Sequence, residues 1–174
     1  MVKALLARVP TLKLAVSATT RDRRPGEEDG REYWFLSDEE FQRRIDADDF
    51  LEWVDYVGHR YGTLISETDR INDLGRAPVL ELELQGSLKV RDRISGSVTI
   101  FINAPLEELA RRLRERATES AGEIGERIAV AREQQKLAGE FDHVVQNDDR
   151  ERAASEVVGI VQRELNGAAT MTRT

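Results

Sequence analysis

Four short apolar runs, at residues 12 to 18, 79 to 84, 97 to 102 and 143 to 146, recur along the chain with helix-forming stretches between them. Runs this short suit buried strands, and strands that alternate with helices predict an α/β fold with a mostly parallel sheet. Ligands of such folds sit beyond the carboxyl ends of the strands. A length of 174 residues suits one domain with a substantial core, and no internal repeat or long linker interrupts it.

The helices are bounded by local signals. Residues 2 to 9 have helical composition and stop at Pro10. Ser37, followed by Asp38, Glu39 and Glu40, is a capped helix start with Glu40 as the capping-box partner; the helix runs to about Asp48 and buries Phe41 and Ile45. Val57 to Thr63 reads as a turn between two short strands, with His59 exposed on it, and residues 66 to 76 as one irregular helix. In the 79 to 84 run, alternation puts Leu80, Leu82 and Leu84 on one strand face and Glu81 and Glu83 on the other. The run at 97 to 102 looks like a central strand. Asn103-Ala104-Pro105 then leads into a helix from about Leu106 to Arg116. A longer helix carries Ile124, Ile128 and Ala131 and ends near Gly139, and a final one spans Arg152 to Leu165 with Val157, Val158 and Val161 on its apolar face.

Several positions suit a ligand. Arg21, Arg23 and Arg24 follow the first strand, with Gly26 and Gly30 able to turn the loop tightly; guanidinium forks fit phosphate or carboxylate oxygens in pairs. The same residues also suit a solvated charged loop. Glu52, set among Phe50, Leu51 and Trp53, is either an exposed member of an alternating strand or a ligand-reading carboxylate. Tyr61 and Thr63 offer hydroxyls, although Tyr61 also suits simple ring packing. Glu81 and Glu83 face solvent, or else need a cation or donor if both sheet faces are covered. The arginines at 111, 112, 114 and 116 equally suit the carbonyl end of their helix.

Composition removes other classes. A formal charge of -7 disfavours a nucleic-acid partner, so any anion must be met by local arginines. With no cysteine, disulfides and thiolate sites are excluded, and His59 and His143 alone do not make a histidine zinc site. No apolar run is long enough for a membrane span and no signal peptide is visible, which makes the cytoplasm the expected location. Oligomeric state is not legible.

Ser17-Ala-Thr-Thr-Arg21, Arg24-Pro-Gly-Glu-x-x-Gly-x-x-Tyr33, Phe50-Leu-Glu-Trp53, Tyr61-Gly-Thr63, Glu81-x-Glu83-x-Gln85-Gly86 and Asn147-Asp-Asp149, in this order and spacing, resemble the guanylate kinase family. The resemblance covers nearly the whole chain. It implies a P-loop kinase-like α/β core, a GMP-binding subdomain over about residues 19 to 78 and a mobile helical lid around 106 to 135. The activity it implies is ATP-dependent phosphorylation of GMP to GDP, with Mg²⁺ accompanying ATP. By the same resemblance Arg21, Arg24, Tyr33 and Tyr61 hold the GMP phosphate, while Ser17, Glu52 and Thr63 read the guanine. Glu83 matches an aspartate near the base, and Glu81 one near the metal and phosphates. Arg116 and Arg127 match lid arginines that approach the transferred group, and Asn147 the residue near adenine.

Three features depart from the family pattern. The Gly-x-x-x-x-Gly-Lys-Ser/Thr phosphate loop is not found in these 174 residues, whose first helix matches the one that follows that loop; Lys3, inside this helix, has no glycine cradle. Glu81 and Glu83 stand where aspartates are usual, each longer by a methylene. Ala117 replaces a glycine beside Arg116. A chain lacking the first strand and phosphate loop also admits the reading of a catalytically inactive GMP-binding remnant or protein-interaction module.

Overall fold

The computed structural model describes residues 1–56, 58–116 and 121–171. These fall into two compact units, residues 9–97 and residues 3–8 together with those from 98 onward.

The 9–97 unit contains β1 (Leu12–Leu14), β2 (Ala18–Thr19), β3 (Trp34–Phe35), α2 (Asp38–Asp46), β4 (Phe50–Tyr56), β5 (His59–Leu64), α3 (Ile65–Asp73), β6 (Ala77–Val79) and α4 (Leu84–Arg93). β1 and β6 pair in parallel, with Leu12 opposite Ala77 and Leu14 opposite Val79. β3, β2, β5 and β4 form a second sheet in that order, parallel between β2 and β3 and antiparallel elsewhere. The parallel pattern expected from the sequence is therefore accompanied by a mixed sheet. Its core joins Ala18, Phe41, Phe50 and Leu64, with Trp34, Leu36, Ile45 and Trp53 packed against them. The Phe41 and Phe50 rings stack 4.4 Å apart.

Two expected strands are shorter than their apolar runs. Over residues 12 to 18 the ladder stops after the Ala15 amide bonds to the Val79 carbonyl, because the next amide, of Val16, donates to the Glu67 carboxylate at 3.0 Å. Once a side chain replaces the neighbouring strand, the chain is free to turn toward β2. The run at 79 to 84 likewise leaves the ladder at Val79, where its partner ends. Glu83 then takes the extended N-cap position of α4, so Glu81 and Glu83 do not share a strand face. The α2 start is as expected: the Ser37 hydroxyl accepts from the Glu40 amide at 3.1 Å. The Glu40 carboxylate, however, pairs with Arg43 and Arg44 in the next turn.

The other unit holds most of α1 (Val2–Arg8), with β7 (Ile100–Asn103), α5 (Leu106–Arg116), α6 (Ala121–Lys136), a 3₁₀ turn (Ala138–Glu140), β8 (His143–Gln146) and α7 (Arg150–Met171). β7 and β8 pair in parallel, joined by the helical crossover that parallel strands require. Among the described residues β7 pairs with β8 alone. Asp142 fixes the entry to this pair by accepting from both the amide and the hydroxyl of Thr99, each at 2.7 Å. Asp149 caps α7 through the Arg152 amide at 2.8 Å, which is why this helix starts before the expected Arg152. Val145 on β8 and Ala153, Ala154, Val157 and Ile160 on α7 are among its buried residues. Among the described residues no helix is long and apolar enough to cross a membrane.

Candidate active site

The hairpin of β4 and β5 sets Glu52 opposite Thr63. A register shift between Phe50 and Glu52 places two steps of β4 against one of β5, so Phe50, Leu51 and Glu52 are all buried in succession. That bulge breaks the alternation that would have left Glu52 exposed. Glu52 is 4% exposed and Thr63 1%, and the Thr63 hydroxyl donates to Glu52 Oε1 at 2.9 Å. Burial pushes the Glu52 carboxyl above its ordinary range; the Thr63 hydroxyl and amide and the positive charge of Lys89 pull the other way without prevailing. Thr63 is the only donor to Glu52 among the described residues. Such a carboxylate is a buried acceptor with capacity left for a ligand that brings donors.

Polar groups gather around Arg21. Its Nη2 donates to both oxygens of Glu27, at 2.9 and 3.0 Å, while Glu27 also accepts the Arg24 amide at 2.8 Å. The guanidinium lies 5.4 Å over the Tyr33 ring and 5.7 Å over that of Phe35. Hydrogen bonding to Glu27 raises the Arg21 pKa, with a smaller contribution from Tyr61, so the group stays charged. Tyr33 and Tyr61 meet edge to face at 6.0 Å. Burial raises the Tyr33 hydroxyl pKa, and the nearby Tyr61 and Glu81 add to the shift, which keeps it a donor. Gly26 and Gly30 take the positive φ values, 87° and 75°, that the loop needs. Arg24 itself is exposed.

Ser17 is half-buried just before β2, and its carbonyl accepts the Trp34 amide at 2.9 Å. The preceding residue is anchored by Glu67, which is 3% exposed and also bound by Arg70 at 2.7 and 2.9 Å. Burial pushes the Glu67 carboxyl up, but the Arg70 and Val16 hydrogen bonds outweigh it and leave the pKa lowered. The structure thus brings Arg21, Tyr33 and Tyr61 together and joins Glu52 to Thr63, all within one unit.

The family model described as guanylate kinase matches residues 1–164 of the chain. The chain belongs to the guanylate kinase family. Curated guanylate kinases of similar sequence include that of Rubrobacter xylanophilus, 47% identical over 96% of this chain and 88% of its own length. Another, from Symbiobacterium thermophilum, is 39% identical over 96% of this chain and 82% of its own length. The crystal structure of guanylate kinase from Anaplasma phagocytophilum superposes with a TM-score of 0.76, at 27% identity, covering 93% of this chain and 80% of that one.

The remaining residues suggested by likeness to guanylate kinases are distributed differently. Glu83 is half-buried at the α4 N-cap, and Glu81 is exposed in the segment before it. In the 98-onward unit the Asn147 amide donates to the Asn103 carbonyl at 2.6 Å, and Arg112 donates to the Asn147 carbonyl at 2.9 Å. The buried Asn147 Oδ1 has no hydrogen-bond partner among the described residues. Arg111 and Arg112 both bind Glu108 and together hold its carboxyl down to about 2. Arg111 therefore serves pairing along α5, while Arg112 pairs there and also holds the Asn147 carbonyl. Arg127 is exposed on α6 and has an interaction partner. Arg116 ends α5 with its side chain outside the described residues, as is the whole of Ala117.

Sequence reasoning missed Glu27, Glu67 and Lys89. Glu27 lies inside the Arg24-Pro-Gly-Glu motif, where its spacing from Arg21 was a usable signal. Glu67 sits in a polar stretch whose pattern carries no hint of burial. Lys89 donates to the Trp53 carbonyl at 2.6 Å and lies 5.4 Å over its ring, a partner set only the fold creates.

Proposed function

We propose that the 9–97 unit is the acceptor side of the guanylate kinase reaction, in which a phosphate oxygen of GMP attacks the γ-phosphorus of ATP and ADP leaves. The observation that carries this reading is the buried Glu52–Thr63 pair. Guanine presents a ring N–H and an exocyclic amine on one edge, and a carboxylate accepts from both; adenine presents a ring acceptor there. A buried carboxylate left unmatched by adenine costs about 1–3 kcal/mol per lost hydrogen bond, enough for strong selection. Ser17 lies on the loop that Glu67 anchors, and Glu83 enters at the start of α4, both in reading distance of a base by family likeness.

Arg21, Arg24, Tyr33 and Tyr61 hold the phosphate in this reading. Glu27 fixes the Arg21 guanidinium against the Tyr33 and Phe35 rings, so its direction is set before a ligand arrives. Transfer itself asks for alignment and positive charge on equatorial oxygens more than for a dedicated base. Arg116 and Arg127 supply that charge by likeness, and the buried acceptor Asn147 Oδ1 suits the adenine amine of ATP. Mg²⁺ is held by one or two carboxylates together with substrate phosphates. Glu81 fits this modest demand: it is exposed, has no ion-pair partner among the described residues and lies close enough to raise the Tyr33 pKa. When bound there, the ion would neutralise phosphate charge.

ADP release from ATP and Mg²⁺ that depends on GMP, and that AMP does not support, tests the transfer. Binding of GMP and guanosine in preference to AMP and adenosine tests the acceptor assignment, and equal binding of guanosine and adenosine contradicts it.

A further inference from the structure

Gly86 lies in the first turn of α4, directly against the Glu52 carboxylate. Its φ is not positive, so the backbone alone gives no reason for glycine. The reason is spatial. A Cβ at residue 86 would stand 2.7 Å from Glu52 Oε2, 3.3 Å from its Cδ and 3.6 Å from the Leu82 Cβ. The first distance is too short for a carbon and an oxygen, and something must shift.

Two observations identify what shifts. α4 is tied to β4 further along: Arg93 Nη1 donates to the carbonyls of Phe50 and Leu51 at 2.8 and 3.1 Å, its Nη2 pairs with Asp48 at 3.1 Å, and Lys89 binds the Trp53 carbonyl. Backing the helix away would break these bonds. The atoms that meet the new Cβ most closely belong instead to the end of one side chain, and they are on the Oε2 side, away from the oxygen that Thr63 fixes.

We propose that Gly86 is a positioning residue for guanine specificity, reserving the space in which Glu52 Oε2 stands. Replacing it by alanine displaces the carboxylate and leaves the helix in place. The inference rests on the reading of Glu52 as the guanine acceptor, and its test separates the two.

The experiment is a double-mutant cycle: GMP titrated calorimetrically into the wild type, Gly86→Ala, Glu52→Gln and the double variant, with melting temperatures measured for all four. Gly86→Ala is expected to weaken GMP binding by about tenfold when Glu52 is present and by less than about twofold in the Glu52→Gln background. Its melting temperature should not fall, since alanine is the better helix former. Equal losses in both backgrounds, wild-type affinity in Gly86→Ala, or a fall in melting temperature with additive losses would each overturn the proposal. The ¹³C signal of the Glu52 carboxyl, followed against pH without ligand, separates the inference from the assignment beneath it. If the wild type binds GMP and AMP alike, the guanine reading fails. In that case a carboxyl signal altered by Gly86→Ala still upholds the spatial role, and an unaltered one overturns it.

Discussion

In the proposed role as guanine acceptor, Glu52 meets two opposed demands. Reading guanine requires the ionised carboxylate, whereas burial favours the protonated one. Because the folded pKa lies above the unfolded value, its contribution to stability is complete below the ordinary glutamate range and is lost as pH rises through the folded pKa. Glu52→Gln should remove that loss. Thermal melts at neutral pH are expected to show the variant more stable than the wild type, with a flatter dependence on pH across the window above the ordinary range. GMP affinity should move the other way, falling about 10- to 100-fold in the variant, as calorimetry would measure. In the wild type, affinity should also fall as acid protonates Glu52, a component missing from Glu52→Gln and so separable from titration of the phosphate. A variant that melts lower at neutral pH and binds GMP normally would contradict both statements. At the phosphate end, Arg21→Ala should weaken GMP by about tenfold or more and leave guanosine unchanged, because charged hydrogen bonds to phosphate are lost while the base contacts remain. Parallel titrations with the two ligands check this.

Elements differ in how far sequence determines them. Helices were legible where a cap or a proline marks the boundary: Ser37 starts α2, and α5 spans Leu106–Arg116 after Pro105. Strand lengths were not, because alternation describes the side chains and the available partner decides where the ladder ends. Val79 to Leu84 alternates well yet leaves its sheet at Val79. The bulge in β4 is likewise a feature of pairing, and with α4 packed on the carboxylate it makes Glu52 a buried residue rather than a surface one. Glu67 shows the same limit at the start of β2, where a carboxylate distant in sequence ends one ladder and holds the segment carrying Ser17. Two substitutions separate stability from ligand reading at this scale. Ser37→Ala should cost about 1 kcal/mol in denaturant unfolding through loss of the cap, with GMP affinity unchanged. Glu67→Ala should cost about 1–3 kcal/mol, because it leaves the Val16 amide unpaired, and should weaken GMP binding as well. Unchanged stability in either variant would contradict the role given to that side chain.

For the whole molecule, the alternation of strand and helix correctly indicated an α/β fold, while the mixed sheet depended on pairings that composition does not encode. The motifs that suggested guanylate kinase are spread over the chain. Those proposed for GMP all lie in the 9–97 unit, and Asn147, Arg116 and Arg127 belong to the other. With a formal charge of -7, the protein attracts a nucleotide only through local arginines, so GMP binding should weaken as salt screens them and the contribution of Glu52 to base choice should persist. The most direct measurement is calorimetric titration with GMP and, separately, AMP, of the wild type and Glu52→Gln. Tight GMP binding, AMP weaker by about 100-fold, and a gap that narrows sharply in Glu52→Gln are the predicted results. Equal affinities in the folded wild type, or a gap that Glu52→Gln leaves intact, would contradict the assignment of this hairpin as the guanine-reading site.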